Sequence, residues 1–536
     1  MRFASKVNQK GMERFLSISV QDFDQMISGN FVYVDKTRYI YDMVRIPQAY
    51  YFLSRPRRFG KTLLVSTLKA LFEGRKELFK GLWIENSGWH WPSHPVVQID
   101  FNGIKSSDAK LLEKSLSLKL ERIAKTHGLS LKSDLLANKF TELLLELYAK
   151  YRQTIVVLVD EYDKPIITHL GEGKAGLQTA RQNRAVLKEF FGVLKEAEVS
   201  AALRFVFITG VSKFSKVSIF SELNNLTDLS MHEAYAGLLG YTQEELEKYF
   251  SDWIAAFAHR QQISGAELVQ QLRVWYNGYR FTPQELPVYN PFSILNALSE
   301  KKFKPFWFET GTPSFLVNLI KEENYPIPNI EKLLLSEESF TVYDLDSLDL
   351  EALLFQTGYT TIQGFDGLLY RMGYPNQEVK SAFLSYLFKQ LIKLSDSGLR
   401  SQYKRLHLYL QNEDLEQFIA TTNAILAAIP HTQIRRQKES YYHTVFYLML
   451  SASGVLVHTE VLTAHGRIDI AVEFNDKVYI IELKCNQTAN KALQQIREKR
   501  YADKYLQSGR KIYLVGINFK TKARAITDWK MEALSH

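Results

Sequence analysis

The stretch YFLSRPRRFGKTLL, Tyr51–Leu64, decides the fold of the first part of the chain. An apolar run at Tyr50–Leu53 predicts a strand, and apolar residues at helical spacing after Thr62 predict a helix. A strand, a basic loop, Gly-Lys-Thr and a helix follow one another in the order that a phosphate-binding loop requires. Main-chain amides at a helix N-terminus attract anions, so the sequence predicts a nucleoside triphosphate site here.

The residues of this loop have separate predicted roles. Lys61 would place a positive charge on the β- and γ-phosphates, and the Thr62 hydroxyl would be a ligand of Mg²⁺. Arg55 occupies the position where the full loop pattern has its first glycine, so the pattern is partial. We expect six consecutive residues to bind the nucleotide: Arg57, Arg58, Phe59, Gly60, Lys61 and Thr62.

A second stretch, TIVVLVDEYD at Thr154–Asp163, supplies the acidic half of such a site. The consecutive apolar residues 155–159 suit a strand that is buried on both faces of a parallel sheet. Acids at the carboxyl end of such a strand lie where doubly wound folds bind ligands. We expect Asp160 to hold Mg²⁺ and Glu161 to orient and deprotonate the attacking water. An ordinary solvated turn is the alternative interpretation of Asp-Glu after a strand.

Two more apolar runs, Pro95–Phe101 and Arg204–Gly210, alternate with stretches of helical spacing. This alternation predicts an α/β fold in which a P-loop NTPase domain is built on a doubly wound, mainly parallel sheet. Thr209, at the end of the last run, is a candidate for a phosphate-sensing side chain. Lys213 is the alternative sensor, and a plain strand-end threonine without that role is the third interpretation.

Several phrases of the sequence together resemble one family. They are RPRRFGKT at Arg55–Thr62, DEYDKPI at Asp160–Ile166, FVYVDKT at Phe31–Thr37, ITGVSKFS at Ile208–Ser215, LNNLTDLS at Leu223–Ser230 and YNGYRF at Tyr276–Phe281. They resemble the bacterial AAA-ATPase-like family, whose members carry a C-terminal nuclease-like domain and normally have the Arg-Pro-Arg-Arg form of the loop. The resemblance covers most of the chain and implies ATP as the nucleotide, with Mg²⁺ as its metal ion.

The C-terminal part contains a second group of chemically active side chains. Two strand candidates, Gly466–Phe474 and Lys477–Cys485, are joined by an Asn-Asp pair of the kind found in tight turns. Alternate side chains of a strand share a face, so Glu482 and Lys484 lie together. The turn would bring Asp469, on the first strand, to meet them.

These residues fit metal-dependent cleavage of phosphodiesters. Asp469, Glu482 and the Leu483 carbonyl offer hard oxygen ligands for Mg²⁺. Lys484 would position or deprotonate water and stabilise the charged transition state. The spacing resembles the PD-(D/E)xK nuclease core, and this resemblance also implies a site role for Gln495 on the following helix. A surface hairpin with an ordinary Glu-Lys pair is the alternative interpretation.

The composition limits the remaining choices. With 536 residues the chain is long enough for about two to four domains. Its net charge of +9, from 67 basic and 58 acidic residues, permits a nucleic-acid partner. One cysteine, Cys485, excludes a disulfide framework and a thiolate zinc site. There is no apolar run of the roughly 18 residues that a membrane span needs, and no signal peptide, so we expect no membrane partner and a cytoplasmic location.

Changes of pattern along the chain suggest its division into domains. Residues 1–235 are predicted to form the AAA-like P-loop ATPase domain, and residues 236–376 a mainly helical lid or middle region. Residues 377–536 are predicted to form an α/β restriction-endonuclease-like domain of the PD-(D/E)xK type, with its catalytic core at about 439–520. The polar segment His431–Ser440 is a predicted linker.

These predictions describe an enzyme that binds and hydrolyses ATP and contains a Mg²⁺-dependent nuclease, which we expect to act on DNA. The alternative is a regulatory NTPase switch whose C-terminal fold only binds nucleic acid or is inactive. In a third interpretation both modules bind without turnover. A homo-oligomer would form through the ATPase domain, and four arginines are candidates for stabilising charge in its transition state: Arg57, Arg58, Arg181 and Arg184.

Overall fold

The computed structural model of the chain describes residues 5–7, 13–213, 219–220, 223, 225–309, 314–322, 325, 327–340, 349–392, 402–429, 439–463 and 466–534. The chain forms two compact units. The first comprises Met1–Glu323 and Lys332–Glu378, and the second comprises Asn324–Glu331 and Val379–His536. The predicted middle region, 236–376, therefore lies in the first unit apart from residues 324–331. Of the predicted linker, residues 431–438 lie outside the described part of the chain.

A five-stranded parallel sheet is the centre of the first unit. The strands of this unit are β1 (Ser5–Val7), β2 (Glu13–Phe15), β3 (Ala49–Ser54), β4 (Val96–Asp100), β5 (Ile155–Asp160), β6 (Leu203–Gly210), β7 (Leu226–Asp228), β8 (Leu334–Leu335), β9 (Thr361–Phe365) and β10 (Tyr370–Gly373). The central sheet has the order β4-β5-β6-β3-β7, and every neighbouring pair is parallel. All residues of β3 and β5 are buried, as their unbroken apolar runs predict. The predicted α/β fold class is confirmed.

Helices connect these strands. The α-helices that begin in this unit are α1 (Phe23–Ser28), α2 (Thr37–Val44), α3 (Lys61–Phe72), α4 (Ala109–Thr126), α5 (Leu136–Tyr151), α6 (Lys164–Ile167), α7 (Gly173–Gly192), α8 (Ala197–Ala202), α9 (Gln243–Gln261), α10 (Gly265–Tyr276), α11 (Pro291–Glu300), α12 (Phe306–Glu309), α13 (Ser314–Glu322), α14 (Leu350–Gln356) and α15 (Gln377–Ile392). The boundary between the two units falls within α15. Asp108 begins α4 by accepting a hydrogen bond from the Leu111 amide at 2.9 Å.

The middle region is helical with one small sheet. A capping box at Thr242 and Glu245 begins α9, and a second capping box at Ser264 and Glu267 begins α10. Apolar faces of α9, α10 and α11 share one buried cluster. Strands β8, β10 and β9 form an antiparallel sheet in that order. Strand β8 and most of β9 lie in residues 304–364, a stretch of mixed sequence pattern, and β10 follows it.

The second unit is a mixed five-stranded sheet with helices. Its strands are β11 (Leu456–Thr463), β12 (Gly466–Glu473), β13 (Lys477–Cys485), β14 (Lys511–Lys520) and β15 (Ala525–Leu534), and its further α-helices are α16 (Leu406–Gln411), α17 (Leu415–Ala427), α18 (Glu439–Ala452) and α19 (Ala489–Glu498). The strands follow one another in chain order, and only β13 and β14 are parallel. The predicted β12–β13 turn closes with a 2.8 Å hydrogen bond from the Phe474 amide to the Lys477 carbonyl.

Helix α19 lies against the sheet at a glycine. A Cβ atom on Gly516 of β14 would come within 2.4 Å of the Ala489 carbonyl oxygen, so only glycine permits this approach. Leu493 and Ile496 of α19 join one buried cluster with Val478 of β13. This packing fixes the helix above the end of β13. No helix in the described ranges has both the length and the apolar character to cross a membrane.

Candidate functional site

The loop between β3 and α3 bends tightly around the N-terminus of α3. Arg58 has a φ of 67° and Gly60 a φ of 95°, so two residues of the loop lie in the left-handed region. A non-glycine residue in this region costs about 1–2 kcal/mol, and such strain persists mainly at ligand sites. Gly60 is the N-cap of α3 and has no side-chain cap. The first amides of α3 are therefore left for a ligand, as in a phosphate-binding loop.

Lys61 is buried inside this loop. Its Nζ donates to the carbonyl oxygens of Arg55 and Pro56, at 3.0 and 3.1 Å. Burial lowers the pKa of Lys61, and the nearby carboxylates of Asp160 and Glu161 oppose this shift. The ammonium thus lies on the floor of the loop, where it can exchange carbonyl oxygens for phosphate oxygens.

Thr62 and Asp160 meet, although 98 positions separate them. The Thr62 Oγ1 donates to Asp160 Oδ2 at 2.7 Å. The other carboxylate oxygen, Oδ1, is buried and has no hydrogen-bond partner among the described residues. Burial raises the pKa of Asp160 to about 6. A hydroxyl and a carboxylate with an unpaired oxygen are suitable ligands for Mg²⁺.

Glu161 follows Asp160 in a strained conformation. Its φ of 52° places it in the left-handed region, directly after the last residue of β5. It lines the same cavity as Lys61 and Thr62. Strained residues at the edge of a sheet are frequent at active sites. The structure thus brings the predicted water-orienting carboxylate to the predicted phosphate site.

A cavity of about 750 Å³ is lined by Lys61, Thr62 and Glu161, while Asp160 lies behind Thr62 and outside its lining. The six predicted nucleotide-binding residues, 57–62, all line it. Its other walls include apolar residues from different parts of the chain, among them Ile18, Val34, Leu239 and Phe292. Ligand pockets have volumes of about 300–1,000 Å³, so the cavity suits a nucleotide with a polar phosphate end and an apolar end for the base.

The two predicted phosphate sensors lie elsewhere. The Thr209 hydroxyl is fully buried and donates to the Leu53 carbonyl at 2.7 Å. Lys213 is also buried, and its Nζ lies 3.2 Å from Asp228 Oδ2. Neither residue lines the cavity. The structure therefore does not bring a sensor to the phosphates at either position, and Thr209 fits the interpretation as a plain strand-end threonine.

The middle region holds the outer side of the loop. The Arg55 guanidinium, 1% exposed, lies 4.1 Å from the centre of the Phe281 ring. The Trp307 indole donates to the Arg57 carbonyl at 3.0 Å. The ring of Phe59 packs edge-on against Tyr279 with 4.9 Å between ring centres. Sequence patterns missed these contacts, and the phrase YNGYRF was the one available signal.

The second unit brings Asp469 and Glu482 together. In the antiparallel pair β12–β13, Ile470 lies opposite Ile481, so Asp469 and Glu482 are the next pair. Asp469 Oδ2 accepts a hydrogen bond from the Leu483 amide at 2.9 Å. Glu482 is 1% exposed. The convergence that the strand pattern predicted is present in the structure.

Lys484 is held at this site by two neighbours. Its Nζ lies 3.0 Å from Glu482 Oε1 and donates to Gln495 Oε1 at 2.7 Å. The Gln495 amide nitrogen in turn donates to the Tyr501 hydroxyl at 3.3 Å. Tyr501 therefore fixes which end of the Gln495 amide faces Lys484. The predicted site role of Gln495 is compatible with this contact.

The two carboxylates differ in their protonation. Burial and the charge of Asp469 raise the pKa of Glu482 to about 7. Burial also acts to raise the pKa of Asp469, but His443, the Leu483 amide and Lys484 outweigh it and leave that pKa below its ordinary value. Near neutral pH Asp469 is thus ionised, and Glu482 is partly protonated.

His443 is a residue that the sequence analysis missed. It lies on α18, and its Nε2 is 3.5 Å from Asp469 Oδ1. It adds a polar group from a helix to a site otherwise built from β12, β13 and α19. A histidine within the helix that precedes the two strands was the available signal.

The side chains at this site supply some, but not all, of the oxygen ligands that a hard cation needs. Glu482 Oε2 is buried and has no hydrogen-bond partner in the described ranges. Among the described residues, no group of three or more His, Cys, Asp or Glu side chains is placed to hold a metal ion. Two carboxylates are available, so a third ligand would come from the main chain, as the prediction of the Leu483 carbonyl requires.

The fold and the two groups of residues define a protein with a phosphate-loop type α/β domain and a second domain of nuclease type. Family models match in two places: "Predicted AAA-ATPase" at residues 17–220 and "PD-(D/E)XK nuclease superfamily" at residues 437–529. A protein of Azotobacter chroococcum mcd 1, named "Uncharacterized protein in vnfD 5'region", is 37% identical over 531 residues, which are 97% of this chain and 99% of the relative. The chain belongs to the AAA-ATPase-like family with a C-terminal PD-(D/E)XK nuclease superfamily domain. The resemblance noted from the sequence is confirmed.

Proposed function

We propose that this protein binds and hydrolyses ATP with Mg²⁺ in its first unit and cleaves DNA with Mg²⁺ in its second. One observation carries the proposal, and it is common to both sites. Asp160 Oδ1 and Glu482 Oε2 are buried carboxylate oxygens without hydrogen-bond partners among the described residues. Leaving such an acceptor unpaired costs about 1–3 kcal/mol or more for a charged group. A cation bound at each place would remove that cost.

Mg²⁺ would be held by two sets of oxygen ligands: Thr62 and Asp160 in the first unit, and Asp469, Glu482 and the Leu483 carbonyl in the second. When bound, it supplies positive charge that stabilises phosphate oxygens. Uncatalysed phosphate-ester cleavage is so slow that the barrier must fall by roughly 20 kcal/mol. A single lysine is not sufficient for this, which supports a metal ion at each site.

The residues of the first site divide the work of ATP hydrolysis. Lys61 and the first amides of α3 bind the phosphates at the positive end of the helix. Glu161 lines the cavity and would accept a proton from the water that attacks the γ-phosphate. Other apolar residues that line the cavity, such as Ile18 and Val34, would enclose the base and exclude water.

The residues of the second site act on a phosphodiester. Lys484, held by Glu482 and Gln495, would stabilise the negative charge that develops on the scissile phosphate. Asp469 keeps its charge at neutral pH because its pKa is lowered. All three predicted nuclease positions, Asp469, Glu482 and Lys484, carry the required residue types, which supports an active nuclease over a fold that only binds nucleic acid.

The experiment incubates the full-length protein with plasmid DNA and Mg²⁺, with and without ATP, and measures cleavage and phosphate release. We expect Lys61→Ala to abolish tight ATP binding or hydrolysis, and Glu482→Gln and Lys484→Ala to abolish cleavage with hydrolysis largely retained. Glu498→Gln, at the exposed end of α19, is the matched control for the carboxylate.

Two outcomes would contradict the proposal. Hydrolysis at the parental rate in a folded Lys61→Ala variant would remove the phosphate-loop assignment. Cleavage that persists in both Glu482→Gln and Lys484→Ala would show that another site, or a contaminant, cuts the DNA. ATP hydrolysis with DNA binding but no cleavage in the parent protein would favour the regulatory switch instead.

A further inference from the structure

The nuclease centre lies at the end of the C-terminal sheet that holds the carboxyl ends of β13 and β14. We call this end the catalytic edge of the sheet. Strands β13 and β14 are parallel, with Lys484 opposite Asn518, so their carboxyl ends lie side by side. The loop after β13 and the turn between β14 and β15 are therefore neighbours of the catalytic residues. Helix α19 begins at the same edge, where the Ala489 amide donates to Asp528 Oδ2 at 2.7 Å.

The loop and the turn are joined to each other by hydrogen bonds. The side-chain Nδ2 of Asn486 donates to Thr521 Oγ1 at 3.1 Å, and the main-chain amide of Thr521 donates to Asn486 Oδ1 at 3.1 Å. The Gln487 amide donates to Asn518 Oδ1 at 2.8 Å. The Arg524 amide closes the turn on the Lys520 carbonyl at 2.8 Å. The turn is thus held in place relative to the end of β13.

Three lysines project from this edge. Lys520 is the last residue of β14, Lys522 lies in the turn that follows it and Lys491 lies in the first turn of α19, and all three are exposed. We name these three residues the basic edge. None of them has a carboxylate within 4.0 Å among the described residues. Asp528 of β15 accepts a hydrogen bond from the N-terminus of α19.

The opposite edge of the same sheet shows the contrary arrangement. At the start of β13, Lys477 lies 2.8 Å from Glu413, and at the start of β14, Lys511 lies 3.5 Å from the same carboxylate. The adjacent Arg510 lies 2.8 Å from Glu473. Cations at the edge far from the catalytic residues are thus neutralised by acids. At the catalytic edge Lys484 is paired with Glu482, whereas the three lysines of the basic edge have no acid within 4.0 Å among the described residues.

We propose that the basic edge binds the phosphate backbone of the DNA that the nuclease centre cleaves. This inference rests on the proposed function and names the surface by which the second unit holds its substrate. Unpaired lysines on a fixed turn beside a phosphodiesterase centre match a polyanion, because lysine-phosphate contacts release counterions and position the duplex without reading its sequence. Lys484 would act on the scissile phosphate, and the basic edge on its neighbours.

The test measures binding of a fluorescent duplex DNA by the full-length protein, with Ca²⁺ in place of Mg²⁺ and over a series of salt concentrations. The double variant Lys520→Ala/Lys522→Ala removes two charges of the basic edge. Each lost phosphate contact should reduce the slope of log K against log salt by about 0.9, so we expect a reduction of about 1.8. Lys511→Ala is the matched control, since this lysine of β14 is 68% exposed and lies at the opposite edge.

The outcomes separate this inference from the proposed function. If the double variant keeps the parental slope and affinity, the basic edge does not bind the DNA backbone. Cleavage by the parent protein would still support the proposed nuclease. An equal loss in Lys511→Ala also overturns the role of the basic edge, because the effect would then be one of net charge. A parent protein that binds no DNA at any salt concentration overturns both.

Discussion

Replacement of Asp160 by Asn tests the energetics of the phosphate site. Burial raises the pKa of Asp160 from 3.8 to about 6, and the residue is 1% exposed. Because the folded pKa lies above the unfolded one, the contribution of Asp160 to stability is most favourable below pH 3.8 and is lost as the pH rises through about 6. One pKa unit corresponds to about 1.4 kcal/mol, so the charged carboxylate destabilises the folded chain by about 3 kcal/mol at pH 8.

Asn removes the charge and keeps the shape. It still offers an oxygen to the Thr62 hydroxyl, and the buried atom without a partner is present before and after the change. We therefore expect Asp160→Asn, without metal and nucleotide, to raise the free energy of unfolding by about 3 kcal/mol at pH 8. The gain should decrease toward zero as the pH approaches 4.

Urea unfolding followed by tryptophan fluorescence is a suitable assay. Trp529 is in the second unit, whereas six of the seven tryptophans report on the first: Trp83, Trp89, Trp91, Trp253, Trp275 and Trp307. Asp100→Asn is the matched control, since Asp100 lies opposite Asp160 in the register of β4 and β5 but is only half-buried. A variant no more stable than the parent at pH 8 would refute the reasoning.

Mg²⁺ and ATP should largely cancel this difference. A ligand at a hundredfold excess over its Kd stabilises a folded protein by about 2.7 kcal/mol. The parent should gain this amount, and Asp160→Asn should gain much less because the metal ligand is lost. Equal stabilisation of both proteins by Mg²⁺ and ATP would show that Asp160 does not take part in binding.

Three further predictions concern single contacts. Glu161→Gln should retain ATP binding and slow hydrolysis by about 10²–10⁴; single-turnover hydrolysis at the parental rate would contradict this. Tyr501→Phe removes the acceptor that orients Gln495, so plasmid cleavage should fall about fivefold, the equivalent of about 1 kcal/mol, at constant ATP hydrolysis; unchanged cleavage would show that the contact is incidental. Because the pKa of Glu482 is raised to about 7, metal affinity at the second site should rise by up to about tenfold per pH unit below 7 and then level off; calorimetry that finds a pH-independent affinity would exclude proton release from Glu482.

Local patterns were sufficient for most of the sheet and for the centre of each site. The unbroken apolar run of β5 and the Gly60-Lys61-Thr62 motif can each be recognised from neighbouring residues alone. Both follow strands of one parallel sheet, so the contact of Thr62 with Asp160 followed from the topology. Strand alternation and one tight turn were likewise enough for Asp469 and Glu482. Such features carry their information within a few residues of the chain.

The missed features depend on distant parts of the chain. Strand β7 has three residues, which is too short for a periodic signal, and it is fixed by pairing with β3. His443 reaches Asp469 from a helix, and Trp307 reaches the phosphate loop across 250 positions. The direction of the Thr209 hydroxyl was decided by the Leu53 carbonyl of a neighbouring strand. Partners of this kind are chosen by tertiary packing, which single-sequence patterns do not contain.

The contacts of the middle region with the phosphate loop limit how the chain can be divided. A fragment ending at residue 235 would lack Phe281 and Trp307, so Arg55 would lose its aromatic partner and the Arg57 carbonyl its indole donor. Phe59, now 1% exposed, would also lose Tyr279 and face water. A fragment that keeps these contacts of the phosphate loop must therefore extend at least to Trp307, and the compact unit that contains them ends at Glu378.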